Sequence, residues 1–365
     1  MGQDRVYNFA AGPACIPENV LKQAQEELLN YRGSGRSVLE LSHRSKLFEG
    51  ILADAQSSLR KLLNIPDNYK ILFFQGGGTG QFAAVPLNLM GLSPSKSADY
   101  IVTGNWSQKA AEEAAKYGKV NIVCDTKATK YTEVPSRDQW KLNPDASYVY
   151  YCANETVYGV EFQEQFDSTI PIVCDASSNF LSRQLDVSKL GVLYAGAQKN
   201  SGTSGVTVVI IREDLIKTPL PETPTVLSYK IFAENNSLYN TPPTYPIYIA
   251  QLVYRWLLDL GGLPEMERIN VEKSKAVYDV IDSSDFYRCP VKKDSRSRMN
   301  VVFRLPDTDL EKKFLEEAGK RNMVELNGHR SVGGIRVSLY NSMPLEPTNM
   351  LADFMREFMD KHKRE

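Results

Sequence analysis

Lys199 is a single lysine among small residues in Tyr194-Ala-Gly-Ala-Gln-Lys-Asn-Ser-Gly-Thr-Ser-Gly205. It follows the apolar run Gly191-Val-Leu-Tyr194 and precedes the strand-like Val206-Thr-Val-Val-Ile-Ile211. A Gly/Ser-rich loop between two strands can carry such a lysine into a domain interior. There, loss of solvation lowers the proton affinity of the amine and makes it a nucleophile toward an aldehyde. Upstream, Pro171-Ile-Val-Cys-Asp-Ala-Ser-Ser178 ends an apolar strand in the carboxylate of Asp175. Taken singly, Asp175 reads as a turn or cap residue and Lys199 as a solvated loop lysine. Together, an aspartate after one strand and a lysine after the next form the arrangement that a pyridoxal phosphate enzyme needs. The lysine forms a Schiff base, and the carboxylate keeps the pyridine nitrogen protonated so that the ring acts as an electron sink.

Other strand ends carry candidates of their own. Gln75-Gly-Gly-Gly-Thr-Gly-Gln81 lies between a strand and a helix, where glycines let backbone N–H groups approach a phosphate at a helix N-terminus. It is neither a dinucleotide fingerprint, since Gln81 falls on the third glycine, nor a Walker A loop, since no Gly-Lys-Ser/Thr ends it. On this segment alone, a tight turn without a ligand stands on equal footing. Gly104-Asn-Trp106 closes another strand and offers an indole for stacking on a flat heterocycle, though core tryptophans are commoner. Cys152-Ala-Asn-Glu-Thr156 ends a further strand in a hydroxyl, which also fits a cap or turn. Of only three histidines, two are followed by arginine, in Ser42-His43-Arg44 and Gly328-His329-Arg330, and Arg336 follows in Gly333-Gly-Ile-Arg336. Arginine captures carboxylate and phosphate in bidentate fashion, so this set points to a substrate with more than one anionic group.

These residues must be positioned by alternating strands and helices. Short apolar runs over 70–74, 100–103, 120–124, 147–151, 171–174, 192–195 and 206–211 read as strands of a mostly parallel sheet covered on both faces. Helical periods cover 17–30, with Pro17 in the first turn and Gly33 beyond the end, then 45–63, a segment after Gly80, and 107–117. A long helical stretch runs from Tyr245 past Gly261-Gly262 to about Ile281. Beyond Ser283, strands over 299–305 and 334–339 and helices over 309–321 and 346–362 predict a smaller α/β domain. The expected organisation is a large domain over 17–260 and a small one made of 1–16 and 261–365.

With 43 basic and 44 acidic residues in 365, the chain has no excess charge to attract nucleic acid. No apolar stretch approaches the length of a membrane span, and the N-terminus has no apolar signal core. Five scattered cysteines (Cys15, Cys124, Cys152, Cys174, Cys289) with no CxxC pair argue against a disulfide framework or a metal site. The expectation is a soluble cytoplasmic protein without metal, membrane or nucleic acid.

Together the motifs resemble the phosphoserine aminotransferases, fold-type I pyridoxal phosphate enzymes of the class V group. The resemblance runs nearly end to end, through Asn8-Phe-Ala-Ala-Gly-Pro13, Leu39-Glu-Leu-Ser-His-Arg44, Phe74–Phe82, Gly104-Asn-Trp106 and Ala153–Glu161. It continues through Ala197-Gln-Lys-Asn200, Asn240-Thr-Pro-Pro-Thr244 and Gly328–Arg336. It implies that Lys199 holds pyridoxal 5'-phosphate and that Asp175 pairs with its ring nitrogen. Trp106 would stack on the ring, Thr156 would bond the 3-hydroxyl, and Gly78, Thr79 and Gln198 would hold the phosphate. Many bacterial members carry arginine at the position of Thr79, so a backbone role is the one expected to persist there. Asn240 and Thr241 would reach the cofactor phosphate of the neighbouring subunit in a homodimer. His43, Arg44, His329 and Arg330 would hold the substrate phosphate, and Arg336 the α-carboxylate.

The activity so implied is reversible transamination of O-phospho-L-serine and 2-oxoglutarate to 3-phosphooxypyruvate and L-glutamate, in serine biosynthesis. A cysteine desulfurase would need a nucleophilic cysteine on a flexible loop near the small domain, and Cys289, in Tyr-Arg-Cys-Pro, has none. Aminotransferases of small uncharged substrates would leave the second His-Arg set without a purpose. A non-enzymatic scaffold would be free to lose Lys199 or Asp175, and both are present.

Overall fold

The structure, a computed structural model, describes residues 5–363; residues 1–4 and 364–365 of the expected small domain lie outside the described residues. The chain begins with β1 (Tyr7–Asn8), α1 (Glu18–Glu26), α2 (Lys46–Leu63), β2 (Tyr69–Phe74), α3 (Gly77–Leu89), β3 (Ser97–Val102) and α4 (Asn105–Ala114). It continues through β4 (Lys119–Asp125), β5 (Val149–Cys152), β6 (Asn154–Glu155), β7 (Val160–Glu161), β8 (Ile172–Asp175), β9 (Val192–Gly196) and β10 (Thr207–Arg212). Four helices and three strands complete the order up to the last helix: α5 (Tyr229–Glu234), α6 (Thr244–Asp259), α7 (Gly262–Asp282), β11 (Asn300–Phe303), α8 (Thr308–Gly319), β12 (Met323–Val324) and β13 (Ile335–Ser338). The last helix is α9 (Leu345–His362).

Seven strands form the central sheet in the order β2-β10-β9-β8-β5-β3-β4. Strands β9, β8, β5, β3 and β4 run parallel, and β10 is antiparallel to both of its neighbours. All seven expected strands are present. Alternate residues of a strand face opposite sides, so Ile71 and Phe73 enter one core with α2 and α6, while Leu72 and Phe74 enter another with α3, α4 and α5. Being covered on both faces, β8 reads Ile-Val-Cys-Asp with all four residues buried. A third core joins Phe9 to α8, α9, the C-terminal half of α7, and the pair β11–β13.

Two differences from expectation have local causes. Helix α3 starts at Gly77, before the expected point, because Gly76 and Gly77 take φ of 100° and 66° and turn the chain straight from strand into helix. The short helix α5 and the two-residue strands β1, β6, β7 and β12 were not expected, since elements of that length carry too few residues to show a period.

Candidate active site

A cavity of about 250 Å³ opens where β5, β8 and β9 end, and Lys199 Nζ enters it. The amine donates to Thr156 Oγ1 at 2.7 Å and lies 5.8 Å from the centre of the Trp106 ring. Loss of solvation pushes its pKa down to about 8, against the opposing pull of the Asp175 carboxylate. Gly12 lies against the lysine stem: a Cβ there would sit 3.1 Å from Lys199 Cγ, and its φ of 130° disfavours any side chain. Trp106 stands in the first turn of α4, with its indole Nε1 buried and without a hydrogen-bond partner among the described residues. The N-terminus of α4 is itself taken by buried Glu155, whose carboxylate accepts from the Trp106 and Ser107 N–H groups at 2.9 Å each.

Asp175 is the last residue of β8 and is 4% exposed. Its Oδ1 accepts from the Ser177 N–H at 2.9 Å, and its Oδ2 from the hydroxyls of Tyr194 at 3.1 Å and Tyr150 at 3.3 Å. At another wall, α3 presents its N-terminus. Gly76 offers no side-chain cap and no acidic residue occupies the first turn, so the first-turn amides at Gly78 and Thr79 are open to an anion. Gln198 closes the same region; a Cβ at Gly196 would lie 2.7 Å from its Oε1. Ser177 Oγ accepts from the Gly196 N–H at 3.2 Å.

From the third core, β13 brings Arg336 to the cavity, with Nη1 3.5 Å from the Thr156 carbonyl oxygen. His329 lines the cavity beside it and bonds Ser331 Oγ through Nδ1 at 2.7 Å. Burial and then the charges of Arg336 and Arg330 push its pKa down, which leaves the ring neutral near pH 7. Of the expected residues, Gly78, Thr79, Trp106, Thr156, Asp175, Gln198, Lys199, His329 and Arg336 line the one cavity. His43, Arg44, Arg330, Asn240 and Thr241 do not. His43 Nε2 is buried without a partner among the described residues, and Asn240 and Thr241 are exposed on the connection before α6. Sequence reasoning passed over Tyr150, Tyr194, Ser177 and Asn154. Only Ser177 had a usable signal, two residues beyond the strand-ending aspartate.

The arrangement fits a flat, phosphate-bearing aromatic aldehyde. A lysine amine of lowered proton affinity faces an indole, a carboxylate lies at one wall and an uncapped helix N-terminus at another. A Cβ at Gly78 would approach Ser177 Oγ at 3.4 Å and Asp175 Oδ2 at 3.8 Å, so the glycine keeps that space clear.

A fold and site of this kind define a class of lysine-anchored cofactor enzymes built on a mostly parallel sheet. The family model described as Aminotransferase class-V matches residues 6–350, and the chain belongs to that family. It is 55% identical to a phosphoserine aminotransferase of Drosophila melanogaster, over 98% of this chain and 100% of that protein. The solved phosphoserine aminotransferase of Bacillus circulans subsp. alkalophilus superposes with a TM-score of 0.95 at 43% identity, covering 98% of this chain and 99% of that one. A pyridoxal-phosphate-bound phosphoserine aminotransferase from Trichomonas vaginalis gives 0.93 at 43% identity, over 96% of this chain and 100% of that one.

Proposed function

We propose that this chain catalyses reversible transamination of O-phospho-L-serine with 2-oxoglutarate, giving 3-phosphooxypyruvate and L-glutamate, as a pyridoxal-phosphate-dependent transaminase of serine biosynthesis. The observation that carries the reading is the placement of Lys199 Nζ, Asp175 and Arg336 around one cavity, in a chain that matches phosphoserine aminotransferases over nearly its full length.

When bound, pyridoxal phosphate supplies an aldehyde carbon open to amines and a cationic ring that takes up the electron pair left at the substrate Cα. Lys199 Nζ is the residue that meets the aldehyde and then carries the Cα proton, for which a pKa of about 8 suits it. Asp175 would pair with the ring nitrogen, Trp106 would cover one ring face, and Thr156 Oγ1 would bond the ring hydroxyl. The amides of Gly78 and Thr79, with Gln198, bind the phosphate. Arg336 takes the α-carboxylate and orients the Cα–H bond. His329, which lines the cavity, would take the substrate phosphate, joined by Arg330, His43 and Arg44, which lie outside this chain's own cavity.

The reading also makes the enzyme a homodimer with shared sites. Asn240 and Thr241 lie exposed outside their own chain's cavity, and exposed Leu29, Leu39 and Tyr239 offer apolar surface for a second copy. Residues 17–260 act as the large domain and residues 1–16 with 261–365 as the small one; the separate third core, which includes Phe9, supports the division. Five unpaired cysteines suit a cytoplasmic location. Among the described residues no helix is long and apolar enough to cross a membrane, and no group of three potential ligands could hold a metal ion.

Rates of glutamate formation from phosphoserine, serine and alanine at equal concentration test the substrate. Phosphoserine is expected to lead in kcat/KM by at least about 10²-fold, because serine and alanine leave the phosphate-directed His43, Arg44, His329 and Arg330 without an anionic partner. Equal rates would overturn the assignment.

A further inference from the structure

Beneath the cavity lies a polar group that the proposed mechanism does not use. The strand order β5-β8-β9 and its register place Tyr150 and Tyr194 on either side of Asp175 and on the same sheet face. Their hydroxyls are 3.0 Å apart and both reach Asp175 Oδ2, at 3.3 and 3.1 Å. Both rings are almost wholly buried, at 1% and 0% exposure, and Tyr100 stacks on Tyr150 with centroids 4.8 Å apart, so neither phenol can turn away. Burial also raises the proton affinity of both hydroxyls, so they remain donors at any working pH. Among the described residues the donors that reach Asp175 are neutral: the Ser177 N–H and the two phenols, whose two protons serve the three short contacts among Tyr150, Tyr194 and Oδ2, so that Tyr150 also acts on the carboxylate through Tyr194.

We propose that Tyr150 and Tyr194 are positioning residues that hold the Asp175 carboxylate in its anionic form and thereby keep the proton of the cofactor's pyridine nitrogen on the ring. The inference rests on the reading that Asp175 faces that nitrogen. Hydrogen bonds donated to a carboxylate favour its charged form. Removing them raises its proton affinity and draws the shared proton from the ring nitrogen toward Oδ2. The ring then carries less positive charge and accepts the Cα electron pair less readily, while the substrate clamps at Arg336 and His329 are untouched.

The test reconstitutes the enzyme with pyridoxal phosphate labelled with ¹⁵N in the ring and reads the nitrogen chemical shift, with kcat and KM measured beside it. Tyr150→Phe and Tyr194→Phe keep the ring volume and remove one donor each. Each is expected to move the signal toward the unprotonated position and lower kcat by roughly 3- to 10-fold, and the double variant by roughly 10- to 100-fold, with KM within about twofold. Tyr148→Phe is the control, since its hydroxyl pairs with Tyr100 at 2.7 Å rather than with Asp175. It should keep the wild-type shift and kcat, which separates the effect from loss of any buried phenol. The single variants carry the test if the double one does not fold. A fully protonated ring nitrogen in both single variants, with Asp175→Asn losing it, overturns the inference and leaves the role of Asp175 standing. A protonated nitrogen in Asp175→Asn as well overturns that role.

Discussion

At the scale of single residues, the amine of Lys199 is the group whose chemistry the surroundings change most usefully. Its pKa of about 8 lies below that of a free lysine because burial penalises the ammonium more than the Asp175 charge stabilises it. Only the neutral amine attacks an aldehyde. The rate at which apoenzyme captures pyridoxal phosphate should therefore rise about tenfold per pH unit below pH 8 and level off above it. Stopped-flow absorbance between pH 6.5 and 9.5 checks this; a flat profile would count against a desolvated Lys199. Lys199 and Asp175 were legible as a pair, an aspartate ending one apolar strand and a lysine following the next, where either alone reads as an ordinary loop residue. Tyr150 and Tyr194 were not, since strands rich in buried tyrosine look alike until the strand order shows which ones flank the aspartate.

Among elements, what ties β13 and its Arg336 to the lysine loop is a chain of buried amides. Asn300 on β11 donates to Ser338 Oγ at 3.0 Å and Tyr340 OH at 3.1 Å, and its Oδ1 accepts from Asn154 at 2.8 Å. Tyr340 OH in turn donates to the Ala11 carbonyl at 2.7 Å, beside Gly12. A second link runs from Asn200, next to Lys199, through Asn341 to Asn270 on α7. Asn300→Ala should cost about 1–3 kcal/mol, because it leaves buried partners unsatisfied. It should also raise KM for the amino acid severalfold as Arg336 loses its fixed height. Urea unfolding and steady-state kinetics read the two effects; wild-type values for both would show that the network does not hold Arg336 in place. Strand and helix positions followed from apolar periodicity, but asparagines far apart in the chain gave no sign that they would meet. Lys273 belongs to the same layer. Its Nζ donates to the carbonyls of Leu339, Tyr340 and Met343 at 3.2, 2.8 and 3.0 Å. Lys273→Met should lower unfolding stability by about 2–4 kcal/mol, since three buried carbonyls lose their donor; an unchanged denaturant midpoint would contradict this.

For the whole molecule, the question is which chain completes each site. If Asn240 and Thr241 serve the second subunit, chains carrying Lys199→Ala and chains carrying Asn240→Ala with Thr241→Ala are each impaired. Unfolded and refolded together, they should recover roughly a quarter of wild-type activity, because half the dimers contain one intact site. No recovery on mixing would place all these groups in one chain's site. In the sequence, that role for Asn240 and Thr241 came only from the resemblance carried by Asn240-Thr-Pro-Pro-Thr244, since exposed polar residues before a helix have nothing in their own chemistry to mark a second subunit.

The most direct single measurement is glutamate formation from phosphoserine and 2-oxoglutarate by purified wild type and Lys199→Ala, with the visible absorption of each holoprotein recorded. Wild type should show turnover and a cofactor band, with activity lost by on the order of 10⁴-fold in the variant and the band gone. Turnover surviving in Lys199→Ala, or a wild type that binds cofactor yet leaves phosphoserine unchanged, would contradict the proposed function.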